Sequence, residues 1–264
     1  MSDTAEMPDV TLTREERMSS VCSYRLTGRL EEVAGAIVPV RPDFPEAGFL
    51  NRIVGVEPDW PESEDQLDEA LSAISPGTHF YVAVEGDSTD RTGEWLEQRG
   101  LSPGLGWMGF RQDPSPVSIP STELTIREAE SAADREAFAR ITCVAFGLDS
   151  GLPSQLANAH DLGWRVWLAE DDGEPVASAG LFTCESTGYL GVDGTLPRAR
   201  GRGAQTALLS TRVAAAANQG LEHLFIETGE RKAGLPDNSY RNILRAGFRE
   251  VAVTRHWVGV RQVP

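Results

Sequence analysis

Apolar and polar residues follow two different periods in the second half of the chain. Residues 121–130 (STELTIREAE) alternate as a strand does, and residues 131–147 carry apolar side chains at helical spacing after a Ser131 cap. A further helical segment is predicted at LPSQLANAH. An antiparallel meander of three strands is then predicted from WRVWLAED, VASAGLFTCE and GYLGVDGTLP.

The chain continues from this meander with two further pairs of helix and strand. The first helix, AQTALLSTRVAAAANQG, has Gly220 as its stop, and the strand LEHLFIETG follows it. The second pair is the helix DNSYRNILRAG and the strand FREVAVTRHWVGV. From residue 121 the predicted order is therefore strand, helix, helix, three strands, helix, strand, helix, strand.

Part of the first half repeats this order. A strand at residues 49–58 ends at Pro58, as the later strand ends at Pro197, and it is followed by SEDQLDEALSAI, HFYVAVE, STDRTGEWLEQRG and LGWMGFRQ. These segments alternate between helix and strand in the same succession. A segment rich in proline and serine, DPSPVSIPST, separates the halves. We therefore predict two domains, 1–115 and 116–264.

Composition narrows the class of protein. The 264-residue chain has a formal net charge of −16, which repels nucleic-acid phosphates and attracts a cationic amine. It has no run of about 18 apolar residues, and its N-terminus lacks the pattern of a secretory signal. Three scattered cysteines and four separated histidines indicate neither disulfides nor a metal site. We expect a cytoplasmic protein without nucleic-acid, membrane or metal partners.

The strand-to-helix junction PRARGRGAQTALLSTR carries the candidate chemistry. A helix start presents unpaired backbone N–H groups, and glycines before it allow close approach of a bulky anion. Arg198, Arg200 and Arg202 add positive charge, so a pyrophosphate is the expected ligand. The junction lacks the lysine of GxxxxGK[ST] and the third glycine of GxGxxG, which argues against both of those nucleotide-binding loops. An ordinary solvated turn is the alternative.

The stretch TLPRARGRGAQTALL resembles the R/Q-x-x-G-x-G/A motif with which GCN5-related N-acetyltransferases, the GNAT superfamily, bind the pyrophosphate of acetyl-CoA. Gln205 stands at the motif's last, normally small position. NSYRNILRAGF resembles the family's helix beside the pantetheine arm. The first half has DWPESEDQ at the corresponding place, whose four carboxylates would repel a pyrophosphate. The resemblance therefore identifies 116–264 as a catalytic GNAT domain and 1–115 as a degenerate GNAT-like domain without a cofactor loop.

The resemblance implies an α/β fold of the mixed-sheet, α+β kind. Each of two GNAT-like domains would have a mixed, mainly antiparallel sheet flanked by helices, with splayed central strands in the C-terminal one. Acetyl-CoA is the implied co-substrate, and no metal is implied. The residues expected to bind acetyl-CoA are Thr195, Leu196, Arg200, Gly201, Arg202, Gly203, Ala204, Gln205, Thr206, Asn238, Ser239 and Asn242.

The resemblance also implies direct acetyl transfer to a neutral amine in a ternary complex, with no protein nucleophile. Asp193 is our candidate general base, with Glu227 and Glu185 as alternatives. The family's general-acid tyrosine would fall at Ile243, so Tyr240, about one helical turn away, is the candidate acid.

We therefore predict an acyl-CoA-dependent N-acetyltransferase that acts on a primary amine of a small molecule and exists as a monomer or homodimer. The alternative is a non-catalytic CoA-binding or protein-interaction module.

Overall fold

The computed structural model describes residues 12–22, 25–26, 28–85, 89–115, 119–148 and 156–262. Its α-helices are α1 (Arg14–Cys22), α2 (Glu64–Ser72), α3 (Thr89–Gln98), α4 (Ala132–Phe146), α5 (Ala204–Gln219) and α6 (Asn238–Arg245). Its strands are β1 (Arg29–Val33), β2 (Ala36–Val40), β3 (Arg52–Gly55), β4 (His79–Val84), β5 (Ser102–Pro103), β6 (Trp107–Gln112), β7 (Thr125–Glu128), β8 (Trp164–Asp171), β9 (Glu174–Cys184), β10 (Thr187–Thr195), β11 (His223–Gly229) and β12 (Arg249–Val260). The start of the predicted LPSQLANAH helix lies outside the described residues, and its end forms a 3₁₀ helix, Ala157–Leu162.

The described strands form one mixed sheet that runs through both halves of the chain. Eleven strands follow in the order β1-β2-β3-β4-β12-β6-β11-β10-β9-β8-β7, and β5 pairs with β12. The pairs β3–β4 and β10–β11 are parallel, and the other pairs are antiparallel. This topology confirms the mixed, mainly antiparallel sheet predicted from the sequence.

Helices cover both faces of the second-half sheet. Because successive strand residues point to opposite faces, Leu190 and Ile226 pack in one core with α5 and α6. Tyr189 and Phe225 pack in another core with Phe138 of α4. We call these two surfaces the α5/α6 face and the α4 face.

The two halves exchange strands. β6, which belongs to the first half in sequence, lies between β11 and β12, and its Phe110 is fully buried in the second-half core. β12 pairs with β6 over 249–254 and with β4 over 255–260. Hydrogen bonds between strands therefore cross the predicted boundary between residues 115 and 116. The division of the chain into two domains at this boundary remains a prediction.

None of the described helices combines the length and apolarity needed to span a lipid bilayer. Within the same residues there is also no group of three His, Cys, Asp or Glu side chains that could hold a metal ion.

Candidate functional site

The central feature of the site is a gap between the parallel strands β10 and β11. Their pairing ends at Leu190 and Ile226, whereas β10 stays paired with β9 as far as Thr195. An irregularity between Gly191 and Gly194 bends β10 away from β11. Val192, inside it, has a φ of 52°, which is uncommon for a β-branched residue. This gap confirms the splayed central strands of the predicted fold.

The end of β10 directs one backbone donor into the gap. The Leu196 N–H donates to the Val176 carbonyl of β9 at 2.9 Å, and the buried Leu196 side chain lies outside the cleft. Because N–H directions alternate along a strand, the Thr195 N–H faces away from β9. Thr195 therefore remains a candidate main-chain donor. The Leu196 N–H, which was also predicted as a donor to the ligand, already donates to β9.

The glycine loop opens α5 without a side-chain cap. Gly201 and Gly203 have φ values of 80° and 82°, in the left-handed region that favours glycine. No side chain caps the N-terminus of α5 at Gly203. The first-turn residues Ala204, Gln205 and Thr206 line the cleft, and the N–H groups of a first helical turn have no partner within the helix.

The arginines of the loop take different directions. Arg200 is exposed, lines the cleft, and has no ion pair within the described residues. Arg202 instead forms a bidentate pair with Asp171 of β8, at 2.5 and 2.9 Å, and does not line the cleft. Arg202 was predicted to contact the coenzyme. The structure instead places its guanidinium away from the cleft, because Asp171 holds it there.

Polar side chains of α6 are joined to the start of α5 by Gln205. Its amide nitrogen donates to the Ser239 hydroxyl at 3.0 Å, and its amide oxygen accepts from Asn242 at 2.8 Å. This bridge accounts for the presence of glutamine where the family motif has a small residue. Asn238 also lines this part of the cleft. Arg241 and Arg245, which sequence reasoning missed, line it as well.

A cleft of about 920 Å³ runs from this polar region through the gap to the α4 face. The wall on the α4 face is mostly aromatic and aliphatic, and it includes residues of the first half. Its members include Phe49, Leu50, Leu148, Leu156, Trp164 and Tyr189.

Asp193 lines the cleft but is held by a buried arginine. Its carboxylate forms a bidentate pair with Arg212 at 2.7 and 2.6 Å, and the Arg212 side chain is fully buried. Burial raises the pKa of Asp193, and the Arg212 charge opposes that rise. Asp193 therefore has a structural contact with Arg212. The sequence interpretation missed this contact, because Arg212 lies on an otherwise apolar face of its helix.

Glu227 lies on the α4 face and is paired with the first half. Arg52 of β3 donates to its two carboxylate oxygens at 3.3 and 3.0 Å, and both side chains are 2% exposed. The Tyr189 hydroxyl lies 3.5 Å from the same carboxylate. Arg52 and Tyr189 are functional candidates that sequence reasoning missed. The available signal for Arg52 was an arginine within the largely apolar strand pattern FLNRIVGV.

His256 supports Arg52 from β12. Burial, followed by the effect of Arg52, lowers the His256 pKa to about 3, so the ring is neutral at ordinary pH. Its Nδ1 lies 3.1 Å from the Leu105 carbonyl, which assigns the proton to Nδ1 and leaves Nε2 to accept from Arg52 at 3.4 Å.

Tyr240 and Glu185, two of the catalytic candidates, lie away from the cleft. The Tyr240 hydroxyl donates to Glu250 at 2.6 Å, and its ring packs against Phe110 in the core. Burial and Glu250 raise the Tyr240 pKa above its ordinary value, which makes the hydroxyl a weaker acid. Glu185 lies in the β9–β10 turn, at the end of β10 opposite the gap. Neither residue lines the cleft.

The corresponding helix start in the first half is closed by its own side chains. The Ser63 hydroxyl accepts from the Gln66 N–H, and the Gln66 amide oxygen accepts from the Glu62 N–H. Trp60 is buried against Gly55 at the end of β3. Capping and acidic charge together make the start of α2 a poor anion site, in line with the predicted loss of the cofactor loop.

Comparisons with known proteins agree with this architecture. Residues 133–234 match the family model described as Acetyltransferase (GNAT) family. No curated protein is significantly similar to the chain in sequence.

Many solved structures are similar to this chain in fold, and three of them illustrate the likeness. A GCN5-related N-acetyltransferase from Kribbella flavida has a TM-score of 0.65 and 18% identity, covering 96% of each chain. One from Sphaerobacter thermophilus has a TM-score of 0.61 and 17% identity, covering 98% of each chain. A tandem GNAT protein from the clavulanic acid biosynthesis pathway has a TM-score of 0.53 and 12% identity, covering 87% of this chain and 78% of that chain. The chain thus has the fold of tandem GNAT acetyltransferases, and its residues 133–234 match the sequence model of that family.

Proposed function

We propose that the protein is an acyl-CoA-dependent N-acetyltransferase that transfers the acetyl group of acetyl-CoA to a primary amine of a small molecule. The observation that carries this proposal is the gap between β10 and β11, which leads directly to the uncapped start of α5. A diphosphate beside that start and a thioester in the gap would occupy one continuous cleft. The family match at 133–234 supports the same chemistry.

The residues that line the α5/α6 side of the cleft suit the coenzyme. N–H groups of the first turn of α5 and the Arg200 guanidinium would hold the diphosphate. Ser239 and Asn242 would contact the pantetheine arm. The Thr195 N–H would donate to the thioester carbonyl oxygen and stabilise the negative charge that develops there.

The acceptor would approach from the α4 face, on the opposite side of the sheet. The coenzyme supplies the acetyl group as an activated thioester. The amine nitrogen forms a bond to the acetyl carbon, the carbon–sulfur bond breaks, and the thiolate leaves with its electron pair. Glu227 would accept the amine proton, directly or through water, because it lies on the α4 face beside Tyr189. Asp193, which also lines the cleft, is the second candidate base.

Charge reversal at Arg200 provides the binding test. The Arg200→Glu variant should bind CoA about ten- to a hundredfold more weakly, because a charge-assisted contact of about 1.5–3 kcal/mol is lost. Arg198→Glu is the matched control, since Arg198 pairs with Glu174 at the surface and does not line the cleft. Titration calorimetry at moderate ionic strength measures both. Equal affinity of the two variants, or no CoA binding by the wild type, would contradict the coenzyme site.

A non-catalytic CoA-binding module is the second candidate function. It is favoured by one observation, that Asp193 and Glu227 are both engaged by arginine. Release of CoA thiol from acetyl-CoA across a panel of amines separates the two candidates. Amine-dependent release supports the transferase, and CoA binding without release on any amine supports the module.

A further inference from the structure

The wall of the cleft on the α4 face differs in chemistry from the coenzyme side. It is built from aromatic and aliphatic side chains of both halves, among them Phe49, Trp107, Trp164 and Tyr189. Strand alternation places Trp107 on this face, because its neighbours Met108 and Phe110 alternate with it and pack in the core of the other face. An acceptor on this wall would be surrounded largely by apolar surface.

Charges on this wall are compensated within the protein. Among the described residues that line the cleft, the carboxylate on this wall is that of Glu227. Arg52 already contacts both of its oxygens. Asp193 belongs to the other side, where Arg212 of α5 holds it. The wall therefore lacks, within the described residues, the row of unpaired carboxylates that would favour a polyamine.

Aromatic side chains also lie where this wall of the cleft meets solvent. Phe49 of the first half and Phe146 of α4 stack there with their ring centroids 5.4 Å apart. Phe146 is 43% exposed, although a large apolar side chain is normally buried. A second hollow of about 490 Å³, lined in part by the same two rings, adjoins this opening. The mouth thus offers aromatic surface to an entering molecule.

We propose that the acceptor is a primary amine joined by a short alkyl chain to an aromatic ring. This inference rests on the proposed acetyltransferase function and adds the class of acceptor. The ring packs on the aromatic wall, and the amine reaches the gap beside Glu227. A long acyl chain on the coenzyme is the competing occupant of the wall, and it would need no carboxylate nearby.

Tyramine and putrescine are the probes that test this class. Transfer from acetyl-CoA should show a kcat/KM for tyramine at least about tenfold above that for putrescine, as expected when an apolar pocket selects its ligand. Equal or higher kcat/KM for putrescine would overturn the inference and leave the acetyltransferase function intact. A preference for octanoyl-CoA over acetyl-CoA without discrimination between the amines would overturn it too.

Serine substitution at the mouth tests the location. Phe146→Ser should raise the KM for tyramine about tenfold with unchanged CoA affinity. Val144→Ser is the matched control, since Val144 is 52% exposed on the same helix and lines neither hollow. Equal KM values in the two variants would overturn the aromatic mouth.

A direct binding measurement covers the case in which no amine is acetylated. Calorimetry of tyramine and putrescine with the CoA-loaded protein then decides. Tighter binding of tyramine supports a site for aromatic amines while the transferase function fails, and equal or absent binding overturns the inference.

Discussion

Two bidentate arginine–aspartate pairs near the cleft differ in their exposure to water. Arg212 is fully buried with Asp193 as its partner, whereas Arg202 and Asp171 are 32% and 40% exposed. An exposed arginine that loses its carboxylate is solvated by water, so the pair contributes little to stability. A buried arginine that loses its carboxylate is not solvated by water, so the loss is costly. The two pairs have similar hydrogen-bond geometry, but we expect them to contribute unequally to the free energy of unfolding.

The Asp193→Ala variant should lower the free energy of unfolding by about 3–5 kcal/mol, because Arg212 stays buried without its partner. Asp171→Ala should lower it by only about 0–1 kcal/mol. Urea denaturation followed by tryptophan fluorescence measures both values. If Asp193→Ala instead kept wild-type stability and lost acetyl transfer, Asp193 would act as the general base and not as a structural partner of Arg212.

At the scale of elements, the junction of β10 and α5 depends on backbone conformation as much as on charge. Gly201 has a φ of 80°, and a Cβ at this position would project into open space beside the cleft. Gly100, after α3, has nearly the same φ of 82° and equally open surroundings, and it does not line the cleft. The two glycines share the conformational requirement and differ only in their distance from the site.

Alanine at either glycine should cost about 1–2 kcal/mol of stability, the usual penalty for an L-residue in the left-handed region. Only Gly201→Ala should also weaken CoA binding, because its methyl group would lie where the diphosphate approaches. Thermal unfolding and calorimetric titration of both variants give the comparison. Equal CoA affinities would show that the backbone does not approach the coenzyme at residue 201.

At the scale of the whole molecule, the halves are joined by shared strands and by a buried ion pair. β6 lies in the second-half sheet, β12 reaches β4, and Arg52 of the first half contacts Glu227 of the second. Separation of the halves would leave strand edges unpaired and Glu227 buried without its cation. The halves should therefore unfold together.

Scanning calorimetry should show one unfolding transition for the full chain. Phe110→Ala, in the second-half core, and Phe80→Ala, in the first-half core, should each shift this same transition to lower temperature, with losses of about 3–5 kcal/mol. Two transitions, each shifted by one variant alone, would contradict the joint unfolding of the halves.

The local pattern predicted the elements after residue 121 well, because their apolar residues keep a clear period of strand or helix. It assigned no element before residue 49, where α1, β1 and β2 lie. All five residues of β2 are buried, so no alternation marks it as a strand. The glycine loop was predicted from residue type and spacing, and the α6 amides were predicted from the resemblance of their helix to that of the family. Arg202 and Tyr240 were misplaced because their directions depend on Asp171 and Glu250, which lie elsewhere in the chain.

Residue types and short-range spacing are enough to specify a strand–glycine–helix junction and the order of elements around it. These features depend on backbone preferences and side-chain chemistry within a few residues. The position of β6 between β11 and β12 and the contact of Arg52 with Glu227, 175 residues away, were decided by the tertiary structure. Such contacts arise from burial and pairing between distant segments, which leave no periodic trace in the sequence.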